Sequence, residues 1–228
     1  RRAKFIYINY PNNPTGAVAT KAFYEKLVAW AKTYEVGVVS DLAYGALGYQ
    51  GYENPSFLST PGAKDVGIEF YTFSKTFNMA GWRLAFAAGN DQMIEALNLI
   101  QDHLFVGIFP ALQEAGIAAL LDPKSEEAVA QLNATYDSRR DAFVQAATKI
   151  GWKAFPSKGS FYAWMPVPEG YTSESFADLL LEKAHVAVAP GKGFGPAGDA
   201  YVRIGLLVEP ERLVEAVDRI ANLQLFNN

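Results

Sequence analysis

The sequence predicts an α/β protein with a mixed, mainly parallel β-sheet covered by helices on both faces, followed by a smaller α+β domain. Short apolar runs, the pattern of strands buried on both faces, alternate with segments of helical periodicity. Half of the 228 residues are hydrophobic and 19% are charged, as in an ordinary globular protein. At roughly 150 residues per domain, this length allows one large or two small domains.

In the first half of the chain, predicted strands alternate with predicted helices. Apolar runs bounded by turn residues predict strands over residues 5–10, 36–39, 68–73 and 82–88. Thr20 is a suitable N-cap for a helix over residues 21–34, whose apolar side chains share one face. Two further helices are predicted over residues 91–105 and 111–121.

A long helix predicted over residues 125–150 leads into the second half. This half contains predicted strands over residues 152–155, 160–167, 186–189 and 201–207, and predicted helices over 174–184 and from Pro210. We place a domain change inside the long helix, near residue 140. The expected domains are residues 1–140, part of a large α/β domain, and residues 141–228, a small C-terminal domain.

Composition excludes several classes of protein. Twenty basic against 24 acidic side chains leave a net charge of -4, which gives no electrostatic case for binding nucleic acid. The absence of cysteine excludes disulfide scaffolds and thiol catalysis, and fits the reducing cytoplasm. Two histidines do not suggest a metal centre. No apolar run approaches the ~18 residues of a membrane span.

Polar residues follow the predicted strands at their carboxyl ends, where ligands bind in open α/β sheets. Asn13 follows the first strand, and Asp41 follows the second, with Tyr44 three positions later. Lys75 follows the third strand, and Arg83 comes eight residues after it. Each residue alone is most simply a turn or capping residue. Their occurrence at successive strand ends indicates a ligand site.

These residue types suit a phosphorylated aldehyde cofactor with a pyridine ring. A lysine amine forms a Schiff base with an aldehyde. A carboxylate keeps the ring nitrogen protonated, so that the ring withdraws electrons. Arginine binds phosphate through two parallel hydrogen bonds, and tyrosine and asparagine can hold a ring oxygen.

Four motifs then relate the chain to a known family. They are PNNPTG (11–16), DLAY (41–44), SKTFNMAGWR (74–83) and YVRIG (201–205). In these motifs and their order, the chain resembles the fold-type I, pyridoxal phosphate dependent class I/II aminotransferases over essentially its whole length. The resemblance implies transfer of an amino group between an amino acid and a 2-oxo acid by a ping-pong mechanism, and a homodimer.

The resemblance also implies which residues contact the pyridine ring of pyridoxal phosphate. Lys75 would bind the cofactor as a Schiff base and shuttle the proton during catalysis. Asp41 would pair with the protonated ring nitrogen. Asn13 and Tyr44 would form hydrogen bonds to the ring oxygen.

The phosphate and the substrate have their own residues in this comparison. Arg83 would bind the phosphate. Thr72 occupies a position where the family usually has serine, and its hydroxyl can still donate to phosphate; Ser74 is a second hydroxyl donor. Arg203 matches the arginine that receives the substrate α-carboxylate, a task that suits its planar fork of donors.

Two other patterns resemble functional sites. Residues 193–198 match the G-x-G-x-x-G pattern of dinucleotide sites, but Pro196 interrupts it and a strand follows where a helix is needed. Lys192 is the rival Schiff-base lysine, but it lacks the hydroxyls and the arginine that accompany Lys75. We predict a glycine-rich loop between strands and a solvated Lys192. The aromatic residues of 161–164 are expected to pack in the core.

Two alternatives to an aminotransferase stay open: a pyridoxal phosphate dependent β-lyase, and the aminotransferase-like effector domain of a transcription regulator. Residues 170–176 and 187–191 resemble Bacillus-type enzymes acting on 2-oxo-4-methylthiobutanoate or LL-diaminopimelate. The family's N-terminal arm, a further phosphate-binding turn and the aromatic ring that stacks on the cofactor are not found here. We therefore expect a portion of a longer protein, which alone would bind cofactor weakly.

Overall fold

The computed structural model describes residues 2–155 and 157–226. Contacts divide the chain into two compact units. The first unit runs to Pro11 and continues over Val18–Leu132, and the second comprises Asn12–Ala17 and the chain from Asn133 onwards. Within the described ranges, no helix has the length and apolar character that a membrane crossing requires.

A four-stranded sheet forms the centre of the first unit. Its strands are β1 (Phe5–Asn9), β2 (Gly37–Asp41), β3 (Gly67–Thr72) and β4 (Ala85–Gly89), in that spatial order. The first three strands are parallel, and β4 runs antiparallel to β3. The register pairs Asn9 with Asp41, and Asp41 with Phe70. This mixed, mainly parallel sheet confirms the predicted α/β fold.

Helices alternate with these strands. They are α1 (Lys21–Tyr34), α2 (Ala63–Val66), α3 (Phe73–Thr76), α4 (Asp91–Leu104) and α5 (Pro110–Leu121), with 3₁₀ turns at Phe57–Ser59 and Ala80–Trp82. The predicted N-cap of α1 is confirmed, because the Thr20 hydroxyl accepts a hydrogen bond from the Phe23 N–H at 3.2 Å. At its other end, α1 stops at Glu35, whose backbone is left-handed (φ 52°).

Both faces of the sheet carry helices. On the face of Ile8 and Val38, α1 contributes to a buried cluster whose members are Ile8, Ala19, Tyr24, Leu27, Val28, Ala31, Val38, Phe57 and Ala63. Successive residues of a strand point to opposite faces. On the other face, Tyr7 and Val39 line a cavity together with Met93 of α4. The helical layers predicted for both faces are therefore present.

The division between the units falls within α6 (Ser125–Lys149). The second unit has an antiparallel sheet in the order β5-β7-β6, formed by β5 (Tyr162–Pro166), β6 (Ala189–Pro190) and β7 (Tyr201–Gly205). Its helices are α7 (Ser173–Leu179), which continues as a π-helix over Leu180–Ala184, and α8 (Pro210–Ala221). The small α+β unit agrees with the predicted architecture.

The core of the second unit is built from α6, α7 with its π-helical continuation, α8 and one face of the sheet. Its largest fully buried apolar side chains are Trp152, Phe143, Phe176, Met165, Leu180, Leu206 and Ile220. The residues 152–155 do not form the predicted strand. Trp152 instead inserts into this core, and its Nε1 donates a hydrogen bond to the Pro166 carbonyl at 2.8 Å. Burial of one large ring, and not strand pairing, explains the apolar pattern there.

Two predicted strands begin later than expected. The strand predicted over 186–189 is reduced to β6, because the Val186 N–H still bonds to the Leu180 carbonyl at the end of the preceding helix. The strand predicted over 82–88 begins at Ala85, because Arg83 adopts a left-handed backbone (φ 55°) after the 3₁₀ turn.

Candidate functional site

The carboxyl ends of the parallel strands meet at one edge of the first unit's sheet, and most of the predicted site residues lie there. Asp41 ends β2 and Thr72 ends β3. Lys75 follows in α3, which begins directly after β3. Since β4 is antiparallel and its Ala85 pairs with Thr72, Arg83 lies at the same edge. Strand direction and register therefore bring these residues to one place.

The Asp41 carboxylate accepts hydrogen bonds from the neighbouring strand β1 and from the loop that follows β2. Its Oδ2 accepts a hydrogen bond from the Tyr7 hydroxyl at 3.2 Å, and its Oδ1 accepts one from the Ala43 N–H at 3.2 Å. The Asn9 amide donates to the Asp41 carbonyl at 3.0 Å. Burial and the negative charge of Asp41 raise the pKa of Tyr7, which keeps this hydroxyl protonated as a donor. The carboxylate is thus fixed in orientation at the strand end.

Lys75 lies beside Tyr44, the aromatic residue that follows Asp41 in the loop. The Lys75 Nζ is 6.0 Å from the centroid of the Tyr44 ring. Tyr44 is 5% exposed, so its ring has a fixed position. An amine and a phenol are therefore neighbours at the same sheet edge as the Asp41 carboxylate.

Two hydroxyls and a guanidinium complete the set in this unit. The Thr72 side chain caps α3, with its Oγ1 accepting from the Ser74 N–H at 3.2 Å. The two hydroxyls also bond to each other, with 3.0 Å between Thr72 Oγ1 and Ser74 Oγ. Arg83 is exposed, and its Nη1 donates to the Ala80 carbonyl at 2.9 Å. Hydroxyl and guanidinium donors of this kind bind phosphate oxygens.

Arg203 lies in the second unit, in the middle of β7, opposite Trp164 of β5. Its Nη1 donates a hydrogen bond to the Asn13 side-chain oxygen at 2.8 Å. The guanidinium carbon is 4.3 Å from the centroid of the Tyr162 ring and 4.8 Å from that of Phe194. Two aromatic rings and one carboxamide therefore set the orientation of this guanidinium.

The loop that carries Asn13 has its own network of hydrogen bonds. The Asn12 side-chain oxygen accepts from the Thr15 hydroxyl at 2.7 Å and from the Thr15 N–H at 3.2 Å. The Gly16 N–H bonds to the Asn12 carbonyl at 2.8 Å, and Gly16 has a left-handed backbone (φ 68°). Asx turns and a left-handed glycine explain why these residue types occur in the PNNPTG motif.

The structure therefore places the predicted residues in two groups. The first unit holds an amine, a carboxylate, a phenol, two hydroxyls and a guanidinium, namely those of Lys75, Asp41, Tyr44, Thr72, Ser74 and Arg83. The second unit holds the carboxamide and the other arginine, Asn13 and Arg203. The first group can bind an aldehyde, a protonated ring nitrogen and a phosphate. The second can bind a carboxylate.

Four side chains that contact these groups are not predicted from the sequence. Tyr7 and Asn9 are two positions apart in β1 and therefore lie on the same face of the sheet as Asp41. Because β1 is mostly apolar, this two-residue period was not recognised in the sequence. Tyr162, expected in the core, lies on the same face of the sheet as Arg203, diagonally across the strand pair. The sequence signal was the alternation along the strand: Ala163 and Met165 are the buried residues of β5, so Tyr162 points to the other face.

Phe194, the fourth missed residue, belongs to the glycine-rich segment that resembles a dinucleotide motif. That segment forms two 3₁₀ turns, Gly191–Phe194 and Pro196–Ala200, between β6 and β7. The rival lysine of this segment, Lys192, forms an ion pair with Glu174 at 2.6 Å and is exposed. The proximity of Glu174 raises the pKa of Lys192, which favours a charged ammonium over a nucleophilic amine.

Comparison with known proteins relates the chain to aminotransferases. Residues 1–220 match the family model described as aminotransferase class I and II. The chain is 59% identical over 225 residues to the L-glutamine–4-(methylsulfanyl)-2-oxobutanoate aminotransferase of Bacillus subtilis, covering 99% of this chain and 56% of that protein. It is 49% identical over 220 residues to the LL-diaminopimelate aminotransferase of Moorella thermoacetica, covering 96% and 56% respectively.

Solved structures show the same likeness. The apo structure of BacF from Bacillus subtilis matches with a TM-score of 0.94 at 48% identity, covering 99% of this chain and 57% of that chain. The chain therefore spans little more than half the length of these relatives. From the family match along almost its whole length, the chain belongs to the class I and II aminotransferases.

Proposed function

We propose that this chain provides the lysine, the ring-nitrogen partner and the carboxylate-binding arginine of an aminotransferase that uses pyridoxal phosphate. One observation carries the proposal: Lys75 lies beside Tyr44 at the sheet edge where Asp41 is held by two hydrogen-bond donors. An amine, a phenol and a fixed carboxylate at one edge match the three functional groups of a pyridine aldehyde with a ring hydroxyl.

The donor set fits this cofactor at its phosphate as well. Thr72 and Ser74 place two hydroxyls at the end of β3. Arg83 is exposed, and among the described residues it uses one of its N–H donors on the Ala80 carbonyl. A guanidinium has five N–H donors, so two can still bind a phosphate in parallel. We assign these three residues to the phosphate.

Each side chain then has a defined task. Bound pyridoxal phosphate supplies an electron sink that stabilises negative charge at the substrate α-carbon. Lys75 Nζ would hold the aldehyde and, once released from it, would be the base that holds the proton from that carbon. The Asp41 carboxylate keeps a proton on the ring nitrogen by its negative charge. Tyr44 and Asn13 form hydrogen bonds to the ring oxygen.

Arg203 is the residue that we assign to the substrate. Asn13, Tyr162 and Phe194 hold its guanidinium in one orientation before any ligand arrives, which reduces the entropy that binding costs. An α-carboxylate is present in both amino acids and 2-oxo acids. One arginine can therefore serve both half-reactions of an amino-group transfer.

The substrates that we propose first are 4-(methylsulfanyl)-2-oxobutanoate as acceptor and L-glutamine as donor, with LL-diaminopimelate as the second candidate donor. The relative named for the first pair is 59% identical to the chain, and one named for LL-diaminopimelate is 49% identical. We further propose that the whole protein is a cytoplasmic homodimer. In the first unit, the apolar residues Phe105, Val106 and Phe109 are about 70% exposed or more. Such a surface favours burial against a second subunit.

The test uses the whole natural protein from which the chain comes. Purified with pyridoxal phosphate, it is mixed with L-glutamine and 4-(methylsulfanyl)-2-oxobutanoate, and methionine is measured by mass spectrometry. LL-diaminopimelate with a 2-oxo acid is the parallel assay. Formation of a new amino acid supports the proposal. A third assay uses S-methyl-L-cysteine, whose β-carbon carries a thiolate leaving group; release of methanethiol, ammonia and pyruvate from it identifies a β-lyase. Absence of all these reactions with bound cofactor contradicts enzymatic function.

A further inference from the structure

Glu69 is a buried carboxylate in the middle of β3. Its register partner is Ser40, the residue before Asp41, so Glu69 and Asp41 lie on opposite faces of the sheet. Glu69 is 6% exposed, and it forms no ion pair within the part of the chain that the structure describes. Burying a carboxylate without a cation is costly unless hydrogen bonds compensate.

Three donors surround this carboxylate. Its Oε2 accepts from the Ser40 hydroxyl at 3.0 Å and from the Phe57 N–H at 2.8 Å. Its Oε1 accepts from the Ser56 hydroxyl at 2.5 Å. Ser40 directly precedes Asp41 at the start of residues 41–56, and Ser56 and Phe57 lie at the end of that segment. Glu69 therefore joins both ends of residues 41–56, here named the 41–56 loop.

The 41–56 loop carries two of the residues assigned to the cofactor, Asp41 at its start and Tyr44 within it. Its returning arm is tied to the turn after Tyr44, because the Asn54 amide donates to the Gly45 carbonyl at 3.2 Å and to the Leu47 carbonyl at 2.9 Å. Leu47 N–H in turn bonds to the Tyr44 carbonyl at 2.9 Å. Hydrogen bonds therefore connect the returning arm, which includes Ser56, with the turn that begins at Tyr44.

The residue type matches this geometry. A carboxylate has two oxygens that together accept three or more hydrogen bonds, whereas an amide has one oxygen and an NH₂ that only donates. An apolar side chain would fill the same space but would leave two hydroxyls and one N–H without an acceptor. The position therefore suits a residue that collects donors from two separate chain segments.

We propose that Glu69 is a positioning residue, whose carboxylate clamps both ends of the 41–56 loop and thereby sets the positions of Asp41 and Tyr44. The clamp itself is a property of this chain's own hydrogen bonds. Its consequence for the cofactor rests on the proposed function, because that function assigns Asp41 to the ring nitrogen and Tyr44 to the ring oxygen.

The first experiment measures amide hydrogen exchange in the whole protein without added cofactor. Glu69→Gln keeps the side-chain volume but replaces one acceptor oxygen with a donor, and Ser56→Ala removes the donor at the returning end. Each variant is expected to accelerate exchange across the 41–56 loop by about tenfold, since each loses a hydrogen bond at the buried Glu69 carboxylate. Unchanged exchange in both variants overturns the clamp.

Ser173→Ala is the matched control. Like the Ser56 hydroxyl, the Ser173 hydroxyl donates to a carboxylate, that of Asp199, at 2.8 Å, and Ser173 is the more buried of the two serines. The bond lies in the second unit. Thermal unfolding shows whether the three variants fold and how much stability each loses. The control is expected to lose stability without accelerating exchange in the 41–56 loop.

The second experiment measures the pH midpoint of the visible absorbance of bound pyridoxal phosphate. This midpoint depends on the donors at the ring oxygen and on the charge at the ring nitrogen. Displacement of Tyr44 in Glu69→Gln and Ser56→Ala is expected to raise the midpoint by about half a pH unit or more. Ser173→Ala is expected to leave the midpoint unchanged, even if its unfolding temperature falls as much as those of Glu69→Gln and Ser56→Ala.

The outcomes separate the inference from the function on which it rests. Faster exchange with an unshifted midpoint shows that the clamp supports the fold without positioning Asp41 and Tyr44, and so overturns the inference. A wild-type protein that binds no pyridoxal phosphate overturns the proposed function, while the exchange experiment still decides whether Glu69 clamps the loop. Faster exchange together with a raised midpoint supports both.

Discussion

Arg203 donates a hydrogen bond from its Nη1 to the side-chain oxygen of Asn13 at 2.8 Å, although 190 positions separate the two residues. This bond joins the first and the last of the four motifs within one compact unit. Asn13 in turn depends on a loop whose turn is made by Asn12 and Gly16. A guanidinium oriented in this way, close to the rings of Tyr162 and Phe194, can bind a planar ligand such as a carboxylate.

Arg203→Lys tests this orientation directly. A lysine keeps the charge but loses the planar fork, so a carboxylate loses a pair of charge-assisted hydrogen bonds. We expect kcat/KM to fall for the amino donor and the oxo acceptor alike, by an amount that corresponds to a loss of about 2–4 kcal/mol of transition-state stabilisation. Cofactor binding should be retained. Steady-state kinetics of both half-reactions measure this.

Arg212→Lys is the control for that substitution. Arg212 lies in the same unit and is paired with Glu215 on the exposed surface of α8. It is expected to leave kcat/KM unchanged. An equal loss in both variants would show that general effects of replacing arginine explain the result, and an unchanged Arg203→Lys would show that another residue holds the carboxylate.

Lys75→Ala is expected to abolish amino transfer without loss of the fold, because Lys75 lies at the sheet edge after β3 and not in a buried cluster. In the wild type, borohydride reduction should fix the cofactor on the peptide that contains Lys75, as mass spectrometry can show. Lys192→Ala, which breaks an exposed ion pair with Glu174, is the matched control and should retain labelling. A label found on Lys192 would contradict the assignment.

The strand-end residues could be predicted because parallel strands bring their carboxyl ends to one edge whatever the details of packing. Asp41, Thr72 and Lys75 follow from strand boundaries alone, even though the predicted boundaries were off by one to three residues. The surroundings of Arg203 could not be predicted in this way. Tyr162 and Phe194 come from a strand and a 3₁₀ turn, and no sequence period relates them.

Glu69 shows a second limit of the sequence pattern. It stands within the apolar run that predicts β3, where a single polar residue does not alter the strand prediction. Its three donors come from β2 and from residues 56 and 57. Such a partner set depends on tertiary structure, as does the insertion of Trp152 into the second unit's core in place of a predicted strand.

Tyr24 gives a prediction for stability at high pH. Burial, followed by the negative charge of Glu69, raises the pKa of Tyr24 above its ordinary value of 10.0. The contribution of Tyr24 to the free energy of unfolding is complete below a pKa of 10.0, the value for Tyr24 in the unfolded chain. It is lost as the pH rises from there towards the folded pKa, because only the unfolded state then releases the proton. The expected slope from this one group is about 1.4 kcal/mol per pH unit.

Urea unfolding between about pH 9 and about pH 11 measures this slope, compared between wild type and Tyr24→Phe. The variant lacks the ionisable hydroxyl, so its free energy of unfolding should fall less steeply over this range. The constant difference at neutral pH reports the lost hydroxyl and does not enter the comparison. Equal slopes in the two proteins would show that Tyr24 does not contribute to the pH dependence.

Gly16 provides a test of the loop that carries Asn13, with Gly170 as its matched control. Both glycines have a left-handed backbone, with φ of 68° and 87°. A Cβ at Gly16 would overlap Ser157 Oγ and lie 2.7 Å from Ser157 Cβ, whereas one at Gly170 would meet no described atom within 4 Å. Gly170→Ala should therefore cost only the left-handed strain, about 1–2 kcal/mol of unfolding free energy.

Gly16→Ala should cost that strain and about 1–3 kcal/mol more, because the loop must move away from Ser157. The displaced loop carries Asn13 away from Arg203, so KM for the substrate carboxylates should rise in Gly16→Ala and not in Gly170→Ala. Ser157→Gly in the Gly16→Ala background removes the clash but not the strain. It should restore KM and only part of the stability, and equal KM values in both single variants would sever the link between this loop and Arg203.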